Sequence, residues 1–227
     1  SPFFFFLLVT TMFKHARTFH LPWSNVEDTS DKILQSIAQF ENQEIVITEK
    51  RDGENTSLYP SGLIHARSLD GRNHPWQDVI KAEWAQICFN LPKGWRVVGE
   101  NLRAEHSIRY DNLKSWLEVF AIFNDINQVI SWNDTKEWCD LLGLSLVPEL
   151  YQGPWDRKII QEIESSLNTQ TQEGYVVRVS TAFPYDKWSY YVGKWVRLHH
   201  VQTDVHWTKT WKPNRRLIDI TQNTIDE

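Results

Sequence analysis

Between Glu44 and Lys50 the chain reads Glu-Ile-Val-Ile-Thr-Glu-Lys, with Ile45 and Ile47 alternating against Glu44 and Val46. That period of two predicts a strand of buried alternate positions. Arg51-Asp52-Gly53 then predicts a tight polar turn, so Lys50 stands at a strand end, exposed by the turn. Upstream, residues 20–24 read as extended. Ile33, Leu34, Ile37 and Phe40 fall on one helical face and predict a helix over residues 31–40. Downstream, the pattern predicts strands over 57–59 and 63–67, separated by a turn at Pro60-Ser61-Gly62. It then predicts a helix over 76–89 with Ile80, Trp84, Ile87 and Cys88 inward, and a short strand over 95–98 running into Gly99-Glu100-Asn101.

Residues 116–123 are apolar on both alternating sets and predict a strand covered on both faces. Residues 131–142 predict a helix that Ser131 and Asp134 begin and Gly143 stops. Residues 156–167 predict another, with Ile159, Ile160 and Ile163 inward. Residues 173–179 and 190–198 predict strands. Strands and helices intermix without regular alternation, which places the fold in the α+β class. With no internal repeat, low-complexity tract or long linker, residues 1–227 read as one domain.

Composition narrows the picture only in places. Hydrophobic and charged fractions of 41% and 23% are ordinary for a globular chain, whereas 12 Trp and 11 Phe are many. Large aromatics build cores and also stack on bases. A net charge of −5 argues against a general nucleic-acid coat and leaves room for a local basic groove. Lys187, Lys194, Arg197, Lys209, Lys212, Arg215 and Arg216 make the C-terminal stretch basic, with Asp204 opposing them. It reads either as a solvated face or as a phosphate-tracking surface. Cys88 and Cys139 sit in apolar helical patterns, as small core residues of a reducing, cytoplasmic compartment. The apolar run at residues 3–9 is far shorter than the ~20 residues of a membrane span and lacks a basic flank before it. Residues 1–11 read as an extension before Met12.

Six segments in order carry the candidate chemistry. They are Lys50-Arg51-Asp52-Gly53-Glu54-Asn55, His65-Ala66-Arg67-Ser68, Gly99-Glu100-Asn101-Leu102, Val119-Phe120-Ala121-Ile122-Phe123, Glu173-Gly174-Tyr175-Val176-Val177-Arg178 and Lys194-Trp195-Val196-Arg197. Each has a plain structural reading: a turn, a surface charge, a core ring. Together, in this order, they resemble the ATP-dependent RNA ligase family of the covalent nucleotidyltransferases.

The resemblance implies an ATP-grasp-like nucleotidyltransferase fold, with antiparallel sheets flanked by helices and the nucleotide in the cleft between them. It implies Lys50 as the nucleophile that takes AMP from ATP. Arg67 would meet the nucleotide phosphates or the nucleic acid, and Glu100 the ribose or a metal water. Phe120 would stack on adenine. Glu173 would engage the metal, with Glu100, through water. Lys194 or Arg197 would grip the α-phosphate; the family pairs two lysines here, so which cation does so stays open. Asp52 is suited to the ribose or an adjacent backbone group. Glu49 would meet the adenine edge, Asn55 the incoming 5′-phosphate, and Gly53 would let the backbone approach the nucleotide. The implied cofactors are ATP and Mg²⁺ or Mn²⁺. The implied partner is RNA with 5′-phosphate and 3′-hydroxyl ends, bound by a monomer away from any membrane, in viral or cellular RNA repair by analogy.

A free lysine is protonated at neutral pH and attacks only when neutral, so the segments also predict that Lys194, Arg197 and a metal lower the Lys50 pKa. His199, His200 and His206, with Asp204 between, match no common zinc spacing and read as structural. Two rival readings remain. One is a capping guanylyltransferase or DNA ligase of the same superfamily, which carries an oligonucleotide-binding barrel after the last motif; the thirty residues after Arg197 do not accommodate one. The other is an RNA-binding module without catalysis, for which keeping Lys50, Glu100, Glu173 and Lys194 together has no chemical reason.

Overall fold

The computed structural model describes residues 10–199 and 210–219. In chain order its strands and helices are β1 (Phe19–His20), β2 (Glu44–Lys50), β3 (Glu54–Leu58), β4 (Ile64–Ala66), α1 (Asp78–Ala85), β5 (Arg96–Asn101), β6 (Leu117–Phe123), β7 (Gln128–Val129), α2 (Trp132–Leu142), β8 (Ser145–Leu146), β9 (Glu149–Pro154), α3 (Arg157–Ser166), β10 (Gly174–Val179), β11 (Phe183–Pro184), α4 (Trp188–Tyr191) and β12 (Val192–Val196). They form two sheets, ordered β1-β12-β10-β2-β9 and β11-β7-β6-β5-β3-β4, with β8 beside β6. Pairing is antiparallel except for the short β1–β12 and β6–β8 ladders. This is the α+β arrangement of antiparallel sheets flanked by helices.

The chain passes from one sheet to the other at the Arg51–Gly53 turn, between β2 and β3. β2 is an inner strand, paired with β10 on one side and β9 on the other. Both its faces are covered, so Val46 and Thr48 are buried along with Ile45 and Ile47. The expected alternation of exposed and buried positions is therefore not seen. Ile45, Ile47, Tyr175, Val177 and Trp195 share one cluster with Val98, Ala121 and Phe123 of the other sheet and with Ile160 of α3. A second cluster packs Ile80 and Trp84 of α1 and Cys139 and Leu142 of α2 against Leu58, Val97, Val119 and Ile122.

Local signals fixed α2 and α3. The Ser131 hydroxyl accepts from Asp134 N at 3.1 Å, and Gly143 ends α2 at φ 69°. Asp156 caps α3 by accepting from Lys158 N at 2.8 Å. The helix expected over 76–89 is α1 between two short 3₁₀ turns, Pro75–Gln77 and Cys88–Asn90. Ile80 and Trp84 are buried, while Cys88 is only half-buried.

Two further expectations fail, and one strand was not expected at all. No helix forms over 31–40: His20 N bonds Lys32 O and Leu34 N bonds His20 O, so those peptides extend the sheet beside β1. Leu34 and Phe40 are still buried, but Ile33 is exposed. Residues 190–191 belong to α4, and the strand begins only at Val192. β9 was not anticipated, because Gly153 and Pro154 mask it; it lies at a sheet edge, where proline is tolerated.

Both cysteines are free, with Cys139 buried. Among the described residues no helix is long and apolar enough to cross a membrane. The apolar run at 3–9, His200, Asp204, His206 and Lys209 lie outside the described residues. The C-terminal cations that are described include Arg216, which pairs with Asp219 at 3.1 Å and Glu83 at 3.5 Å.

Candidate active site

The turn after β2 is fastened on several sides. Arg51 forks onto Glu118, with Nε donating at 2.7 Å and Nη2 at 3.2 Å, while Nη1 donates to Glu49 at 2.8 Å. The Asp52 carboxylate accepts from Ser107 Oγ at 2.6 Å and Ile108 N at 2.8 Å, and Asp52 N donates to Tyr110 Oη. Gly53 N donates to Glu100 at 3.1 Å. A Cβ at Gly53 would lie 2.4 Å from Asn101 O. The glycine lets the turn approach β5, and it also lines the cleft.

Lys50 turns to Glu173, whereas Arg51 turns to Glu118 and Glu49. Lys50 enters a cleft of about 320 Å³ between the sheets. The register opposes Lys50 to Gly174, so Glu173 lies one residue beyond and its Oε2 accepts from Lys50 Nζ at 2.6 Å. A Cβ at Gly174 would lie 1.9 Å from Trp195 O, so only glycine brings β10 this close to β12. The register also aligns Thr48, Val176 and Lys194 across three strands, which turns Lys194 into the same cleft.

The other wall comes from β3, β5 and β6. Asn55 pairs in register with Glu100, and both line the cleft. The β5–β6 register shifts between Val98 and Gly99: Val98 faces Ala121 and Gly99 faces Val119. Phe120 is the extra residue of this bulge, and its ring lines the cleft. The bulge brings the β6 backbone so near that a Cβ at Gly99 would meet Glu118 O at 2.7 Å. Arg67, after β4, completes this wall.

Electrostatics differ from expectation at the nucleophile. Burial acts to lower the Lys50 pKa, but the Glu173 carboxylate, with Glu100 and Asp52 behind it, outweighs burial and raises it to about 12. The predicted lowering is therefore absent here, because acids rather than cations stand nearest. Lys194 goes the other way: burial, and then the Lys50 charge, bring it down to about 8. Burial lifts the Glu100 carboxyl to about 8 against the pull of Lys50.

Of the residues singled out in the sequence, the structure brings Glu49, Lys50, Gly53, Asn55, Arg67, Glu100, Phe120 and Lys194 to the cleft wall, with Glu173 on the Lys50 amine. Glu49 is there with its carboxylate already held by Arg51 and by Gln172 at 3.1 Å. Asp52 and Arg197 are not on that wall. Asp52 binds the 107–108 backbone and hydroxyl, and Arg197 donates to Thr169 O at 2.8 Å and to Ser107 Oγ at 3.4 Å.

Several lining residues carried no signal as site residues. His15 and Arg17 come from an irregular segment without periodicity, and Trp132 and Trp188 lie outside the six segments. Arg178, 3% exposed, lines the cleft and donates to Val179 O and Ile130 O. His15 is buried edge-on against Phe120, at 5.5 Å between ring centres, and Trp188, at 4.6 Å. Burial, reinforced by Arg96 and Arg67, lowers its pKa to about 3.

Glu100 and Glu173 suit a hard divalent cation that keeps waters and borrows phosphate oxygens, as Mg²⁺ does. Among the described residues no group of three or more His, Cys, Asp or Glu side chains is placed to hold a metal by itself.

The sequence model of the family described as RNA ligase matches residues 43–196. No curated protein sequence matches the chain significantly. Among solved structures, an archaeal ATP-dependent RNA ligase matches with TM-score 0.53 and 18% identity, over 71% of this chain and 44% of its own. A putative ATP-dependent DNA ligase from Aquifex aeolicus matches with TM-score 0.53 and 19% identity, over 70% and 45%. A Naegleria gruberi RNA ligase mutant with ATP and Mn matches with TM-score 0.50 and 15% identity, over 70% and 51%. At these identities the likeness is one of fold, and the chain spans about half the length of each.

Proposed function

This chain belongs to the RNA ligase family, and from that premise we propose that it joins RNA ends with ATP, through an adenylate carried on Lys50. The observation that supports this most directly is the Lys50 amine bonded to Glu173 at 2.6 Å, inside a cleft also lined by Glu100 and Lys194.

Without nucleotide, Glu173 keeps the Lys50 amine protonated and poised. Any contact that draws Glu173 away leaves burial as the main influence on that amine, and burial favours the neutral, nucleophilic form. Neutral Nζ then bonds to the α-phosphorus of ATP as the α–β phosphate link breaks. The electron pair leaves with pyrophosphate, and the amine sheds its proton to give lysyl-AMP. The AMP next passes to an RNA 5′-phosphate, and a 3′-hydroxyl displaces it to form the phosphodiester. Lys194, near the amine, offsets charge on the phosphoryl oxygens. Phe120 and Val176 present apolar faces to the adenine, and Arg67 and Asn55 meet phosphate. Arg51, through Glu118 and Glu49, and Asp52, through Ser107 and Ile108, position the turn. Glu100 and Glu173 would hold Mg²⁺ or Mn²⁺ through water, and the ion would supply positive charge to the phosphates.

The test is incubation with ATP labelled at the α-phosphate and Mg²⁺ or Mn²⁺, followed by a panel of nicked and single-stranded RNA and DNA. A covalent label that RNA ends discharge into a joined product is expected. Label from GTP and not ATP would indicate capping chemistry instead, and salt-sensitive RNA binding with no adduct would indicate a module without catalysis.

A further inference from the structure

Residues 102–116 join β5 to β6 without a helix or strand of their own, yet they hold the turn beside Lys50. Ser107 Oγ and Ile108 N donate to the Asp52 carboxylate at 2.6 and 2.8 Å, and Asp52 N donates to Tyr110 Oη at 3.0 Å. The Arg51 guanidinium lies over the Tyr110 ring, 5.0 Å from its centre. A connection of this length needs support from outside, because fixing each backbone residue costs roughly 1–2 kcal/mol of conformational entropy.

The support is the segment 210–219, which lies beyond the matched family region at 43–196. It runs between the two limbs of the connection and bonds both. On one limb, Glu105 N donates to Lys212 O at 2.7 Å, and Asn214 N donates to Arg103 O at 3.0 Å. On the other, Arg215 N donates to Tyr110 O at 2.9 Å, and Leu217 N donates to Leu113 O at 2.9 Å. Arg103 and Arg216 both lie over the Trp116 ring, at 4.5 and 4.7 Å from its centre.

Asn214 is the side chain that ties the limbs together. It is 2% exposed. Its Oδ1 accepts from Tyr110 N at 2.8 Å, and its Nδ2 donates to Leu102 O at 2.8 Å and to Ala104 O at 3.3 Å. One acceptor beside two donors is what a side-chain amide offers, and neither a carboxylate nor a hydroxyl supplies it. Truncation would leave buried backbone groups unpaired on both limbs. From Asn214 the contacts run to the Tyr110 backbone, then from the Tyr110 hydroxyl to Asp52 N, two residues from Lys50.

We propose that Asn214 is a positioning residue for adenylation, acting through Tyr110 on the Lys50 turn. The proposal rests on the ligase reading above and places a determinant of its rate outside the family region.

Single-turnover adenylation of the full chain, with ATP labelled at the α-phosphate, tests it. Asn214→Ala and Tyr110→Phe are each expected to slow lysyl-AMP formation at saturating ATP roughly tenfold or more. Half-saturating ATP should stay unchanged, because neither side chain lines the cleft. The double variant should be no slower than Asn214→Ala, since the two residues act in series. Hydrogen exchange reads the same link without ATP. The Asp52 amide should exchange faster in both variants, while the Glu49 amide, bonded to Pro148 O at 2.8 Å, stays as in the native chain. Tyr110→Phe leaves the 210–219 segment its own bonds, so it tests the route even where Asn214→Ala fails to fold. The proposal is overturned if either folded variant adenylates at the native rate, or if ATP binding weakens in place of the rate. It is equally overturned if the losses of the two single variants multiply in the double. A native chain that forms no lysyl adduct defeats the ligase reading. The Asp52 amide then decides the positioning of the turn by itself, which stands if Asn214→Ala speeds its exchange and falls if it does not.

Discussion

Lys50 Nζ lies 2.6 Å from Glu173 Oε2, joined by a strand register that opposes Lys50 to Gly174. Both side chains are largely withdrawn from water, at 24% and 7% exposed, so each depends on the other for its charge. Lys50→Arg keeps a cation opposite Glu173 and is expected to hold the melting temperature while losing all lysyl-AMP. Lys50→Ala should lose the adduct and also stability, by about 3 kcal/mol, since it leaves a buried carboxylate alone. Labelled-ATP gels together with thermal melts separate the two effects. An adduct that persists in either variant assigns the nucleophile elsewhere.

Gly174 is a packing requirement, distinct from the chemistry beside it. Its absent Cβ would stand 1.9 Å from Trp195 O. Gly174→Ala must push β12 away from β10, with a loss of about 1–3 kcal/mol in denaturant unfolding. Lys194 rides on β12, so adenylation should fall as well. An alanine variant as stable as the native chain would show that these strands are looser than the register implies.

Arg51 and Glu118 form a second buried pair behind the nucleophile, with Glu49 sharing the guanidinium. Arg51→Met strands Glu118 and Glu49, which are 3% and 7% exposed, and should destabilise the fold by about 3–5 kcal/mol. Adding Glu118→Gln to that variant should restore much of the loss. A double-mutant cycle in urea measures the coupling, and an additive result would mean the pair is not a unit.

His15 gives the stability a pH dependence whose sign is fixed. Folded His15 binds its proton only near pH 3, whereas the unfolded chain binds it below about pH 6.5. The unfolded state therefore holds more protons in that window, and stability is lost as pH falls through it. Between pH 7 and pH 5 the native chain should lose about 2 kcal/mol more than His15→Asn. Equal acid sensitivity in both chains would mean that His15 is hydrated in solution.

Much of the site was legible because its residues sit in short segments whose local chemistry is self-contained. The strand ending at Lys50, the cap at Ser131 and the stop at Gly143 depend on neighbours within a few positions. So do the residue types that invite phosphate, metal and base. Expectations broke where a distant partner decided. Residues 31–40 have a helical pattern, yet their peptides found a sheet edge at His20. β9 lacks a strand signal, and pairing with β2 supplies one. His15 and Arg17 reach the cleft from a segment with no period to read.

The amino-acid order by itself determined the family, the α+β class and which side chains are available for the chemistry. The tertiary structure alone decided which of two cations, Lys194 or Arg197, faces the cleft, and that Arg51 and Asp52 brace the turn through Glu118, Glu49 and residues 107–108. It also decided the protonation of Lys50. Proton affinity depends on burial and on charges a few ångströms away, and those distances are set by strand register across 123 residues of chain.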